Sequence, residues 1–150
     1  MTVPVFAFDE QRIKLDQHGQ FWYGEQLVEH PGIERMLRIG LKRLPNEAYG
    51  YIMGPRSVEI IVEDAPFQVL AVHEESEGLG LSLSDESYEY LSGESLFYKG
   101  DVPYCMLKRG DKARFTPIGA LSLGHFLEFD GGEVFLPLNG RRYLISGAKV

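Results

Sequence analysis

The 150-residue chain is 44% hydrophobic and 25% charged, a balance typical of a soluble globular protein, which argues against disorder. Its length suits one domain or two small halves. The single cysteine, Cys105, excludes an intramolecular disulfide and a zinc site built from cysteine pairs. The first residues lack the basic and apolar segments of a signal peptide, and no apolar run is as long as a membrane span. We therefore expect a cytoplasmic protein with no membrane partner.

The net charge of −7 is concentrated in the middle of the chain. Residues 57–98 contain ten Asp or Glu residues and no Lys or Arg. Because this segment would repel a polyanion, we expect no duplex DNA partner. The simplest interpretation of the charge is that acidic strand faces keep the protein soluble.

The first half begins with a predicted hairpin and a predicted helix. Arg12–Val28 alternates apolar and polar side chains around a turn at residues 17–19, as two half-buried strands do. Pro31–Leu44 has apolar residues three and four positions apart, starts with proline and is followed by Pro45-Asn46. This pattern predicts a helix over residues 31–44.

Three strands in series are predicted next, over Tyr49–Met53, Val58–Val62 and Phe67–His73. Pro66 separates the last two, because proline cannot continue a central ladder. The polar, glycine-containing segment Glu74–Gly80 is the predicted connection between two halves, residues 1–75 and 76–150.

The second half is predicted to contain short strands and one helix. Pro117–Phe129 is the helix candidate, although Gly119 and Gly124 each cost up to ~1 kcal/mol relative to alanine. A hairpin through the favoured turn Asn139-Gly140 is predicted to close the chain. The strands are predicted at Leu81–Ser84, Ser87–Leu91, Leu96–Lys99, Tyr104–Lys108, Lys112–Phe115, Val134–Leu138 and Arg142–Ile145.

Runs of strands with two isolated helices indicate the α+β class. We expect two packed β-rich halves, each with antiparallel strands and one helix. Similar elements surround the prolines that start the two helices, Pro31 and Pro117, which suggests a structural duplication.

The block Val62-Glu63-Asp64-Ala65-Pro66-Phe67 places two carboxylates and a proline between two apolar strands. With Gln20–Tyr23, the helix after Pro31, and Pro103-Tyr104 through Lys108-Arg109-Gly110, it makes the chain resemble the bacterial domain-of-unknown-function family 1285 from about Ile13 to Leu138. The resemblance implies two repeated α+β halves, the second superficially similar to pleckstrin-homology folds. It also implies a ligand site in the groove between the halves and a signalling role with a nucleotide-like ligand.

Five residues are candidate ligand contacts: Trp22, Glu63, Asp64, Lys108 and Arg109. The two carboxylates either accept backbone N–H bonds at a strand end or contact a ligand. Lys108 directly precedes a predicted hairpin turn at residues 109–111, and Arg109 begins it. An Arg fork there could bind phosphate, unless the hairpin pairs with the acidic middle segment. The indole of Trp22 could stack on a base or belong to the core.

The sequence predicts no catalytic and no metal-binding residue, and it identifies no cofactor. His18, His30, His73 and His125 lack the spacing of metal ligands, and neither a nucleophile elbow nor a phosphate loop occurs. Two functions are favoured over a third, which is an enzyme whose polar residues converge only in three dimensions. One is non-enzymatic binding of a small anionic or nucleotide-like ligand between the halves. The alternative is a protein-interaction module that holds a partner by its strand edges or its acidic face.

Overall fold

The computed structural model describes residues 12–148, in which the boundary between two compact units falls between Pro66 and Phe67. The expected boundary after residue 75 lies further along the chain. Phe67–Glu75 instead pairs with Gly78–Leu83 as an antiparallel hairpin, so the segment predicted to connect two halves is the end of a hairpin within the second unit.

The described part of the first unit, residues 12–66, is a six-stranded sheet with one helix. Its sheet has the order β3-β2-β1-β6-β5-β4, and β1 and β6 form a parallel pair. The elements are β1 (Ile13–Leu15), β2 (Phe21–Tyr23), β3 (Gln26–Leu27), α1 (Pro31–Gly40), β4 (Lys42–Arg43), β5 (Tyr49–Met53) and β6 (Arg56–Val62).

Helix α1 ends at Gly40, so the predicted extension to Leu44 is wrong. A Cβ atom at Gly40 would lie 2.0 Å from the ring of Tyr51, so glycine lets this ring pack against the end of the helix. The chain then turns extended at Leu41, and both Leu41 and Leu44 are buried. Their spacing continues the helical pattern although the residues between them form β4.

The second unit contains a six-stranded sheet, a helix and a three-stranded sheet. The larger sheet has the order β10-β11-β12-β7-β8-β9, with β12 and β7 parallel, and the smaller one has the order β13-β14-β15. The elements are β7 (Phe67–Glu75), β8 (Gly78–Leu83), β9 (Tyr88–Tyr90), β10 (Phe97–Lys99), β11 (Val102–Met106), β12 (Lys112–Phe115), α2 (Pro117–Gly124), β13 (Glu128–Asp130), β14 (Glu133–Leu138) and β15 (Arg141–Leu144).

Helix α2 also ends earlier than predicted, at Gly124, and the end of the predicted helix forms β13 instead. The predicted hairpin through Asn139-Gly140 is confirmed, because β14 and β15 pair directly across this turn. Two α-helices among many strands in residues 12–148 confirm the α+β class. We expected antiparallel strands throughout, but each large sheet has a parallel pair at its centre.

Both large sheets have the same topology. In each one, two three-stranded meanders meet at their first and last strands, which are β1 and β6 in the first unit and β7 and β12 in the second. The sequence suggested that the two helices are equivalent, but they are not. Helix α1 follows the third described strand of its unit, whereas α2 follows the sixth. The repeated element is therefore the sheet and not a helix-centred motif.

The core of the second unit lies on one face of its larger sheet. Alternate residues of adjacent strands are at most 2% exposed there: Phe67, Val69, Cys105, Ala113 and Phe115. Helix α2 packs against β7, where the hydroxyl of Ser122 accepts from the N–H of Val72 at 3.0 Å and donates to its carbonyl at 2.9 Å. This packing fixes the position of the chain that follows α2.

Candidate functional site

The predicted site residues belong to different units. Trp22, Glu63 and Asp64 lie in the first unit, and Lys108 and Arg109 lie in the second. Each group is described within its own unit.

Trp22 has a structural hydrogen bond. Its indole N–H donates to Asp16 Oδ2 at 2.8 Å, while Asp16 Oδ1 accepts from the backbone N–H groups of His18 and Gln20, each at 2.9 Å. Burial raises the pKa of Asp16, but the hydrogen bonds from Trp22, Gln20 and His18 outweigh it and hold the pKa below its usual value. The indole thus helps a buried carboxylate to close the β1–β2 turn.

Glu63 and Asp64 follow β6 at the predicted strand break, which is confirmed because β6 ends at Val62 and β7 begins at Phe67. The backbone N–H of Glu63 donates to the carbonyl of Leu15 at 2.9 Å. Its carboxylate lies 3.5 Å from the ammonium of Lys14 and is 41% exposed. Asp64 is half-buried. A ligand contact by either carboxylate stays a prediction.

The guanidinium of Arg109 is bound within its own unit. It lies 3.0 Å from the Asp85 carboxylate, 3.0 Å from the hydroxyl of Ser87 and 3.9 Å from the Glu89 carboxylate. Its carbon also lies 4.6 Å from the centre of the Phe67 ring. Burial raises the pKa of Asp85, but the hydrogen bonds from Ser87 and Arg109 together lower it by more, so the pKa lies below its usual value. The hairpin therefore pairs with the acidic middle segment.

Lys108 has an exposed side chain next to Arg109. Its backbone N–H donates to Glu89 at 2.9 Å, and the N–H of Gly110 donates to the carbonyl of Leu107 at 2.9 Å. These two N–H groups are therefore already bonded within the protein, although the predicted phosphate site would use turn N–H groups together with both cations. Phosphate binding here stays a prediction with support from the lysine alone.

A cavity of about 350 Å³ lies elsewhere in the second unit, and we call it the acidic cleft. Three glutamates, Glu74, Glu75 and Glu128, are among the residues that line it, together with apolar residues. The complete lining is Glu74, Glu75, Gly78, Leu79, His125, Phe126, Leu127, Glu128, Pro137, Leu138 and Asn139. It thus combines the end of the β7–β8 hairpin, the chain that follows α2, and the end of β14.

The carboxylates of the acidic cleft differ in their partners. Glu75 accepts a hydrogen bond from the hydroxyl of Tyr88, and Glu128 lies 3.4 Å from the guanidinium of Arg142. Glu74 is exposed and has no ion-pair partner within residues 12–148. Glu74 is therefore the carboxylate most available to a bound cation.

Tyr88 lies next to the acidic cleft on the neighbouring edge strand, β9. The hydrogen bond to the Glu75 carboxylate raises the pKa of Tyr88 to about 12. The side chain is 48% exposed, with the ring of His73 at 6.2 Å and the ring of Tyr90 at 6.3 Å between centroids. Glu75 thus connects the cleft with an exposed aromatic cluster.

Sequence reasoning missed this region. Glu74 and Glu75 fell in the predicted connection between halves, and Glu128 fell in the predicted extension of α2. The signal that could have found it is the acidic segment 57–98, which contains two of the three carboxylates.

Chemically, the acidic cleft suits an organic cation with an apolar stem. Carboxylates attract ammonium and guanidinium groups, and apolar walls cover methylene chains. Within residues 12–148, no group of three or more His, Cys, Asp or Glu side chains is arranged to hold a metal ion. Neither described helix has the length and apolar character needed to cross a membrane.

The fold is shared with two crystal structures. A DUF1285 family protein from Silicibacter pomeroyi DSS-3 has a TM-score of 0.68 and 19% identity, over 90% of this chain and 79% of that one. A DUF1285 family protein from Shewanella baltica OS155 has a TM-score of 0.56 and 18% identity, over 73% of this chain and 87% of that one. No family model and no curated protein matches the sequence.

These structures confirm the predicted resemblance to the DUF1285 fold. At 19% and 18% identity the likeness concerns the fold alone. The similarity to pleckstrin-homology folds and the ligand groove that the resemblance implies stay predictions.

Proposed function

We propose that the protein is a non-enzymatic, cytoplasmic protein-interaction module that binds a basic segment of a partner in the acidic cleft. The observation that supports this proposal is a cavity of about 350 Å³ in one unit, with three glutamates and several apolar residues in its lining. Interaction through an acidic face is the alternative that the sequence had left open.

Charge favours a cationic partner for this region. The segment 57–98, which supplies Glu74 and Glu75, contains no Lys or Arg. Arg109, from outside that segment, is engaged by Asp85 and Glu89, which are only 12% and 13% exposed. The carboxylate of Glu74 keeps its charge open to solvent, where it can attract a partner and guide its approach.

The apolar walls favour a lysine or arginine side chain over a small inorganic cation. Phe126 and Leu127 are half-buried, and Leu79 and Leu138 are buried beside them in the lining. A long basic side chain can cover such surface with its methylenes while its charged end stays near a carboxylate. A small inorganic ion has no apolar part, so it would leave this surface exposed to water.

The proposal is tested by fluorescence anisotropy with a labelled hexa-lysine peptide at about 0.15 M ionic strength, where long-range attraction is screened. We expect Glu74→Lys to weaken binding about tenfold, because it places a like charge in the cleft. Glu133→Lys, an equal charge reversal at an exposed residue outside the cleft, should change binding less than twofold. Equal losses in both variants would attribute binding to net charge and contradict the proposal.

A small anionic or nucleotide-like ligand with a role in signalling is the second candidate, and the exposed side chain of Lys108 favours it. A thermal-shift screen with ATP, GTP and sugar phosphates tests it. If this candidate is right, one of these ligands raises the melting temperature of the wild type but not that of Lys108→Ala. A shift that Lys108→Ala retains would exclude this lysine as the contact.

A further inference from the structure

The ring of Tyr88 lies flat on its sheet because the strand beneath it has no side chain there. Tyr88 pairs with Ser82 of β8, and its hydroxyl reaches over Gly80 to Glu75 of β7. A Cβ atom at Gly80 would lie 1.6 Å from the hydroxyl oxygen of Tyr88, so only glycine allows this arrangement. The ring therefore rests on the backbone of β8 while the side chain remains 48% exposed.

The surroundings of the ring are aromatic and acidic. His73 and Tyr90 flank it, and the pKa of Tyr90 is raised by burial and by the charges of Glu75 and Glu77. Within residues 12–148, no Lys or Arg side chain lies over the Tyr88 ring. An exposed ring face beside carboxylates attracts cations through the ring quadrupole and through the nearby negative charge.

A guanidinium group fits this surface better than an ammonium group does. It is planar and weakly hydrated, so it can stack on a ring face while its N–H groups bond a neighbouring carboxylate. Glu75 supplies such a carboxylate next to the ring, and it also lines the acidic cleft. An ammonium is a strongly hydrated point charge that gains less from stacking.

We propose that Tyr88 selects arginine over lysine in the basic segment of the partner, by stacking its ring on the guanidinium beside Glu75. This inference rests on the proposed function, because it specifies which basic residue lies next to the acidic cleft. The carboxylates of the cleft attract either cation, whereas the tyrosine ring distinguishes between them.

The test compares labelled hexa-arginine and hexa-lysine peptides, which carry equal charge, at about 0.15 M ionic strength and about pH 8, where an ordinary histidine is neutral. We expect the wild type to bind hexa-arginine about two- to fivefold more tightly. The Tyr88→Leu variant should bind both peptides about equally, with its hexa-lysine affinity unchanged. Tyr88→Phe keeps the ring and loses only the hydroxyl, so it should retain the arginine preference.

Each outcome separates this inference from the proposed function. If Glu74→Lys weakens the binding of both peptides but Tyr88→Leu keeps the arginine preference, binding in the acidic cleft is supported and the role of Tyr88 is refuted. If the wild type binds neither peptide, both proposals fail. Thermal unfolding of Tyr88→Leu and Tyr88→Phe provides the folding control, since the side chain is largely solvent-exposed.

Discussion

The guanidinium of Arg109 lies 3.0 Å from the carboxylate of Asp85, 24 residues earlier in the chain. Asp85 is only 12% exposed, and it also accepts hydrogen bonds from the backbone and hydroxyl of Ser87. The β11–β12 turn and the β8–β9 turn are thereby held together by a pair of opposite charges. A residue predicted to contact a ligand is thus a structural contact of the second unit.

Replacing Arg109 should therefore destabilise the second unit. Arg109→Ala leaves the half-buried carboxylates of Asp85 and Glu89 without their cation and removes the stacking on Phe67. Charged hydrogen bonds and cation–π contacts at partly exposed sites predict a loss of about 1–2 kcal/mol in the free energy of unfolding. Urea unfolding followed by far-UV circular dichroism measures it.

Lys108→Ala is the matched control for Arg109→Ala. It removes an adjacent cation whose side chain is exposed, so its effect should be within about 0.5 kcal/mol. A loss equal to that of Arg109→Ala would mean that the turn depends on positive charge in general and not on the Arg109–Asp85 pair.

The Asp16 carboxylate should make the stability of the first unit depend on pH. Its pKa in the folded state lies below the ordinary value of 3.8, so its contribution is complete above that value and is lost as the pH falls through the folded-state pKa. Asp16→Asn should lower the free energy of unfolding by about 1–3 kcal/mol at pH 7. The difference from wild type should shrink below about pH 4.

Unfolding can be followed by the fluorescence of Trp22, the single tryptophan, which is bonded to Asp16. Glu63→Gln serves as the control, because this carboxylate is exposed and its removal should cost less than about 0.5 kcal/mol. A gap between Asp16→Asn and wild type that is the same at pH 3 and pH 7 would contradict the role of the charged carboxylate.

Local signals predicted the fold where one residue type determines the backbone. Pro66 separates β6 from β7, and Asn139-Gly140 joins β14 to β15, as expected from proline and turn chemistry. Helix ends were less predictable. Leu41 and Leu44 continue the apolar spacing of α1, but they lie outside the helix, directly before and after β4, and both are buried. The parallel pairs at the sheet centres join distant strands, so no local pattern reveals them.

The candidate site was predictable only in its charge. The acidic composition of residues 57–98 predicted a segment that repels polyanions, and Arg109 meets Asp85 and Glu89 of that segment. The sequence does not show which carboxylates remain available to a partner. That depends on strand pairing and on Arg142, which binds Glu128. The flat position of Tyr88 depends on Gly80, in a neighbouring strand, and such a relation exists only after folding.

His30 should contribute to stability as the N-cap of α1. Its Nδ1 accepts from the backbone N–H groups of Gly32 at 3.2 Å and Ile33 at 3.3 Å, which otherwise lack helical partners. His30→Ala should cost about 0.5–2 kcal/mol in thermal or urea unfolding. His30→Asp keeps an acceptor and adds negative charge at the helix N-terminus, so its stability should equal or exceed that of wild type. An aspartate variant as unstable as the alanine variant would contradict the capping role.

The two glycines of α2 should respond to alanine in opposite ways. At Gly119 a Cβ atom would lie 2.3 Å from the carbonyl oxygen of Val69, whereas at Gly124 no atom lies within 4 Å. Alanine is favoured over glycine in a helix by up to ~1 kcal/mol, so Gly124→Ala should be neutral or stabilising. At Gly119 the clash with backbone should outweigh this gain and destabilise the unit by about 1–3 kcal/mol, measured by urea unfolding. If Gly119→Ala were as stable as Gly124→Ala, α2 would not depend on close packing against β7, and the position of the chain that lines the acidic cleft would need another cause.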